Sequence, residues 1–255
     1  YTAMNEHDEA QYVAAQILGS YSAGRHWKDH AVLYRMNAQS NQIEQAFKRN
    51  GVPYRIIGGI RFFDRAEVKD MLAYLCVINN PGDDLRLQRI INNPPRGIGA
   101  TTIERAQSIA AQEGRSLWEI ISNARVYPEL QKAAAKLDAF TGMIAELRRL
   151  SGEMELPAFY EELVARTGYA VMLEQKNTIE DRTRLENVQE LLTSINGYLE
   201  NAAEPSLAGF LDEIALYTDL DSHDPEEDCV VMMTMHSAKG LEFPVVFVVG
   251  VEEGI

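Results

Sequence analysis

Cys229-Val230-Val231-Met232-Met233-Thr234 runs without a charge into Met235-His236-Ser237-Ala238-Lys239-Gly240-Leu241-Glu242-Phe243-Pro244, and Val245-Val246-Phe247-Val248-Val249 follows. The first run is too short for a helix and reads as a strand covered on both faces, the habit of parallel sheets. The last reads as a second strand. The polar segment between them leaves the carboxyl end of a buried strand, where open α/β sheets place their ligands. From Thr234 to Glu242 it holds a hydroxyl, an imidazole, an ammonium, a glycine and a carboxylate. Lys and His meet phosphate, Glu accepts from a ribose hydroxyl, and Gly lets a backbone come close. Taken alone, these residues leave two readings open: a ligand loop, or a polar connection between two strands.

The amino-terminal end supplies more of the same architecture. Ala31-Val32-Leu33-Tyr34 reads as a buried strand, residues 39–50 as a helix with Ile43, Ala46 and Phe47 on one face, and Val52 to Ile57 as a strand closed by Gly58-Gly59. Strand, helix and strand with short connections is the βαβ signature of a parallel sheet. Ahead of it, Ala10, Val13, Ala14, Ile17, Leu18 and Tyr21 recur at helical spacing over 8–23. After residue 62 the strand signal vanishes. Helical segments are expected from Asp64 to about Asn79 and near 84–92, 100–113, 116–124, 128–150, 157–166, 178–200 and 206–217. Asp64 with Glu67 and Ser116 with Glu119 have capping-box spacing, and Pro157 suits a first helical turn. An acidic linker from Asp219 to Asp228 closes the stretch. The expected fold is an α/β parallel-sheet domain, residues 1–62 and 220–255, interrupted by a mostly α-helical insertion, 63–219.

Composition narrows the function. Of 255 residues, 38 are acidic and 24 basic, a formal charge of −14. That argues against a chain coated with nucleic acid or held on an anionic membrane by bulk charge, and leaves room for a local phosphate site. Cys76 and Cys229 lie far apart with no His or Cys at metal spacing, against a disulfide framework or zinc site and for a reducing compartment. The apolar run Phe243 to Val251 is too short to span a bilayer, and the opening Tyr1-Thr2-Ala3-Met4 lacks a secretory pattern. With no initiating Met and an end just past a strand, the chain is expected to be a piece of a longer protein. Asp219, Asp221, His223 and Asp224 fail the calcium-loop pattern and read as solvated linker.

Three blocks carry a resemblance. They are Thr234-Met235-His236-Ser237-Ala238-Lys239-Gly240-Leu241-Glu242-Phe243 with Gly250-Val251-Glu252-Glu253-Gly254, then Ala31 to Ser40, and Tyr54 to Arg65. In order and spacing they resemble UvrD/PcrA/Rep-type superfamily 1 DNA helicases, nearest the PcrA/UvrD branch, across essentially the whole chain. The resemblance implies the RecA-like second motor domain with its inserted 2B domain. It implies an ATP-dependent, 3′ to 5′ helicase using ATP and Mg2+, cytoplasmic and bacterial-type, acting at the nucleoid in repair or replication with accessory proteins and no membrane. Single-stranded DNA contacts carry over to Arg35, Asn37, Arg61, Thr234 and His236, and the ribose contact to Glu242, with Lys239 and Gly240 in the same ATP-side loop. The chain has no Gly-x-x-x-x-Gly-Lys-Ser/Thr phosphate loop. The resemblance places that loop and the magnesium carboxylates in a first motor domain ahead of Tyr1, and an arginine motif after Ile255. The chain alone is therefore expected not to hydrolyse ATP.

Within the insertion, Asn93-Pro94-Pro95-Arg96-Gly97-Ile98-Gly99-Ala100-Thr101-Thr102 has helix-hairpin-helix form. Two glycines allow a tight turn, and the following helix start offers N–H groups to a phosphate. Arg96, Gly97, Ile98, Gly99, Thr101 and Thr102 are the expected duplex contacts, as in the family's 2B domain, with Arg166-Thr167-Gly168-Tyr169 a second candidate turn. The alternative to an ATP-driven helicase is a non-catalytic DNA-junction or protein-docking module. An unrelated metabolic α/β enzyme is disfavoured by the absence of any cofactor fingerprint.

Overall fold

The computed structural model describes residues 1–219 and 228–251. Most of the expected acidic linker, including Asp221, His223 and Asp224, lies outside them, as do Glu252, Glu253 and Gly254. The chain divides into two compact units, Tyr1–Arg65 with Glu213–Ile255, and Ala66–Asp212.

The first, the sheet unit, starts with α1 (Glu6–Ser22). Asn5 caps it by accepting the Asp8 N–H at 2.8 Å, and Glu6, Asp8 and Glu9 face the positive end of its dipole. β1 (His30–Tyr34), α2 (Ser40–Arg49) and β2 (Tyr54–Ile57) follow, and β3 (Val230–Thr234) and β4 (Val245–Val248) complete the unit. All pairings are parallel, in the order β2-β3-β1-β4. The helix-linked strands β1 and β2 are therefore not neighbours, because β3 lies between them. Val32 and Tyr34 of β1 and Val230 and Met232 of β3 share one face by strand alternation. Against them pack Ala10, Val13, Ala14 and Ile17 of α1 and Ile43, Ala46 and Phe47 of α2. Ala31, Val231 and Met233 on the other face are also buried, so the apolar run that opens the sequence reading is a two-sided core strand. At the edge, β4 leaves Val246 and Val248 about half exposed.

The second, the helical unit, comprises α3 (Ala66–Asn79), α4 (Asp84–Ile90), α5 (Ala100–Glu113), α6 (Leu117–Ser122), α7 (Ala134–Ser151), α8 (Leu156–Thr167), α9 (Tyr169–Lys176) and α10 (Ile179–Asn201). α11 (Leu207–Asp219) carries the chain back to the sheet unit. Leu75, Leu87, Ile120, Leu137, Phe140, Phe159 and Leu191 are buried at its core. The Ser116–Glu119 capping box forms, and Pro157 sits in the first turn of α8. Asp64 closes a 3-10 turn, Arg65 directly precedes α3, and the buried Glu67 carboxylate accepts from Asn187 Nδ2 at 2.5 Å. The helix expected from 128 starts at Ala134, after 3-10 turns at Ala124–Val126 and Gln131–Ala133. α9 is unforeseen, since only Tyr169 and Leu173 mark its buried face. No helix among the described residues is long and apolar enough to cross a membrane.

Candidate nucleic-acid and nucleotide interface

Because β2, β3 and β1 run parallel in that order, the loops that follow them leave the same edge of the sheet. Tyr34 pairs with Thr234, and the Met235 N–H extends the ladder by one bond to the Tyr34 carbonyl at 2.9 Å. There the chain turns. Thr234 Oγ1 lies 2.9 Å from Ser237 Oγ and accepts the Ser237 N–H at 3.2 Å, while the Thr234 carbonyl accepts the Ala238 N–H at 3.1 Å. Gly240, at φ 86°, lets the loop reverse. The loop after β2 lies against this turn. Gly58 has φ 72°, and a Cβ there would stand 3.1 Å from Ser237 Oγ. The loop after β1 is held by Gln39, whose Oε1 accepts the N–H groups of Arg35 and Met36, both at 3.0 Å.

Polar groups at this edge fall into two layers. On the rim, Arg35, His236, Lys239, Gly240 and Glu242 are exposed and Asn37 is partly so. The side chains of Arg35, Asn37, His236, Lys239 and Glu242 make no hydrogen bond or ion pair among the described residues. Beneath them lies a buried, hydrogen-bonded layer. Glu44, 1% exposed, accepts from Ser40 Oγ at 2.6 Å, from the Phe62 N–H at 3.1 Å and from Tyr54 OH at 3.3 Å. Burial pushes its carboxyl above the ordinary glutamate range, opposed by the Ser40 hydroxyl and the Arg65 charge. Burial likewise raises the Tyr34 phenol, with the Glu44 charge adding to it. Thr234 belongs to the lower layer, since its hydroxyl shapes the turn. Arg61 is partly buried and engaged within the chain.

In the helical unit, Asn92 Oδ1 accepts the N–H groups of Arg96 at 2.8 Å and Ile98 at 3.1 Å, folding the turn before α5. Arg96 points inward. Its guanidinium donates to Tyr74 OH at 2.6 Å and to the carbonyls of Ile90 at 3.0 Å, Pro94 at 3.1 Å and Thr167 at 3.2 Å. It also sits over the Tyr74 and Phe140 rings. Burial pushes the Tyr74 phenol up to about 12. Ile98 is fully buried. Arg96 and Ile98 thus depart from the expected outward contacts: their donors and apolar surface are spent holding the turn. Gly97 has φ 69°, and its carbonyl accepts from Lys136 Nζ at 2.8 Å. Gly99 starts α5 without a side-chain cap, and the space where its Cβ would sit is open. Thr101 is exposed and Thr102 partly so. Sequence reading missed Lys136, Ser237, Gln39 and the Glu44–Arg65 pair. Ser237 and Gln39 sit inside the resembling blocks. Lys136, on a distant helix, carries no local signal.

A discontinuous parallel sheet interrupted by a helical insertion is the arrangement of a partial RecA-like domain carrying a second, helical domain. The whole chain, residues 1–255, matches the UvrD-like helicase C-terminal domain, and the chain belongs to that family. It is 41% identical over its full length to the ATP-dependent DNA helicase PcrA of Staphylococcus aureus strain Mu50. It is 40% identical to that of Staphylococcus epidermidis strain RP62A. The chain spans 35% of the length of each.

Proposed function

We propose that this chain is the second motor lobe, with its 2B insertion, of an ATP-dependent DNA helicase that moves 3′ to 5′ along single-stranded DNA and unwinds duplex. The observation that carries the reading is the two-layered edge. Unspent polar side chains, Arg35 and Asn37 after β1 and His236 and Lys239 after β3, stand at the carboxyl ends of two adjacent strands, on a buried floor that fixes their backbone, in a chain that is otherwise acidic. Arg35, Asn37, Arg61 and His236 take the phosphate-sugar backbone of a single strand, and Thr234 shapes their loop. Such contacts hold a strand without reading its sequence. Glu242 accepts from the ribose of ATP, while Lys239 and Gly240 line the nucleotide side of the same loop. One loop then feels both ligands, so nucleotide state changes the grip on DNA.

The loop fits a nucleotide's sugar and periphery, with a free carboxylate, a free ammonium and a left-handed glycine. It has no phosphate cradle. Among the described residues no group of three His, Cys, Asp or Glu could hold a metal ion. Mg2+ and the hydrolytic groups belong to another lobe of the complete protein, and this chain supplies positioning. In the helical unit, Gly97, Gly99, Thr101 and Thr102 present the start of α5 to a duplex phosphate, with Arg96 and Ile98 bracing the turn. The test is Glu242→Ala in the complete protein. It should raise the KM for ATP more than the Kd for single-stranded DNA, and unchanged ATP kinetics would contradict the ribose role.

A further inference from the structure

We propose that Arg65 and Glu44 are positioning residues that clamp the two strand-gripping loops to one another from below. The inference rests on the strand-contact reading above and assigns the device that sets its geometry. Arg65, 7% exposed, donates through Nη2 to the Asn37 carbonyl at 2.9 Å and to Ser40 Oγ at 2.9 Å. Through Nε it donates to the Ile60 carbonyl at 3.2 Å. Glu44 accepts the Phe62 N–H at 3.1 Å. Main-chain groups on both sides of Arg61, and the carbonyl of Asn37 itself, are therefore tied to two buried charges. The Ser40 hydroxyl joins those charges, accepting from Arg65 and donating to Glu44 at 2.6 Å. The Arg65 guanidinium also lies over the Phe62 ring, 5.2 Å from its centroid, which fixes the plane of its fork.

The arrangement exceeds what a fold needs. β2 and α2 already hold the ends of these segments, and buried charges joined through a hydroxyl are weak evidence for stability compared with apolar side chains of the same volume. What the pair specifies is the relative placement of two loops otherwise joined to different strands. A planar guanidinium holds three acceptors at fixed angles, and an ammonium cannot. A strand laid across Asn37 and Arg61 meets groups whose spacing is set before it arrives, which lowers the ordering cost of binding.

The experiment measures binding of a labelled oligo(dT) to the complete protein by anisotropy, with thermal melting as the check on fold. Asn37→Ala with Arg61→Ala is made first and should weaken binding about tenfold. Wild-type binding by that double variant overturns the strand-contact reading, and the clamp's purpose with it. Where that variant does weaken binding, Arg65→Lys should also cost about tenfold in the wild-type background. Added to the double variant it should cost less than about twofold, because it acts through residues already gone. Wild-type affinity in a natively melting Arg65→Lys overturns the clamp, as does a full tenfold loss on top of the double variant. Ser40→Ala removes only the joining hydroxyl and is expected to cost about threefold. If Arg65→Lys fails to fold, Ser40→Ala decides: wild-type affinity, or a full loss of about threefold on top of the double variant, overturns the clamp.

Discussion

One of the two interior strands of the sheet unit, β3, enters only after the whole helical unit has been traversed, whereas the helical unit is one uninterrupted segment, Ala66–Asp212. Closing so long a loop carries an entropic cost that local helix packing avoids. The difference extends to the candidate sites. In the sheet unit, loops from three strands must be assembled before any ligand edge exists. In the helical unit, the Gly97–Gly99 turn is set mainly by Asn92 and Arg96, a few residues away, with Tyr74, Thr167 and Lys136 closing it from the side. One site is a product of topology and the other of local sequence.

The comparison breaks most sharply under truncation. Removing residues 228–255 takes away β3 and β4 and should abolish cooperative folding of the sheet unit, while residues 66–212 produced alone should give a helical circular dichroism spectrum and a cooperative melt. An unfolded 66–212 would refute the division. Next in size are core truncations. Phe140→Ala should cost the helical unit about 3–5 kcal/mol and Met232→Ala should cost the sheet unit about 2–5 kcal/mol. Each should lower its own unit's transition in denaturant, and equal effects on both transitions would merge the units into one. Smaller again is Gly58→Ala, which places an L-residue at φ 72° and a Cβ against Ser237. About 1–2 kcal/mol should be lost from the sheet unit alone.

The smallest effect concerns acid. Burial raises the folded-state pKa of Glu44 above the ordinary glutamate value, so the native protein keeps that proton to higher pH than the unfolded chain does. The stability this lends is complete below the ordinary carboxylate range and is lost as pH rises through the raised value. Glu44→Gln should therefore flatten the decline of sheet-unit stability with rising pH in denaturant titrations. An identical decline in wild type and variant would show that Glu44 does not titrate there.

Much of this was legible in advance, for physical reasons that can be named. Strand type at 229–234 followed from uninterrupted apolar side chains, and the α6 start from the Ser116–Glu119 capping box. What periodicity cannot carry is order in the sheet. Nothing in Ala31–Ile57 says that a distant strand will enter between its two strands. It cannot carry side-chain direction either. Arg96 beside two glycines looks like a phosphate contact, until Tyr74 and Thr167 supply acceptors from elsewhere in the helical unit. The rim residues were legible because they lie within contiguous motifs. The floor that positions them was not, because Glu44 and Arg65 meet only through the fold, and Lys136 reaches Gly97 from α7.

The most direct test of the central claim is a crossed binding measurement on the complete protein, with an unstructured single strand and a blunt duplex titrated in parallel. Asn37→Ala with His236→Ala should weaken single-strand binding about tenfold and leave duplex affinity within about twofold. Gly97→Val with Gly99→Val should do the reverse. If both pairs of substitutions weaken both ligands equally, or neither ligand, the assignment of strand grip to the sheet edge and duplex grip to the helical turn is wrong.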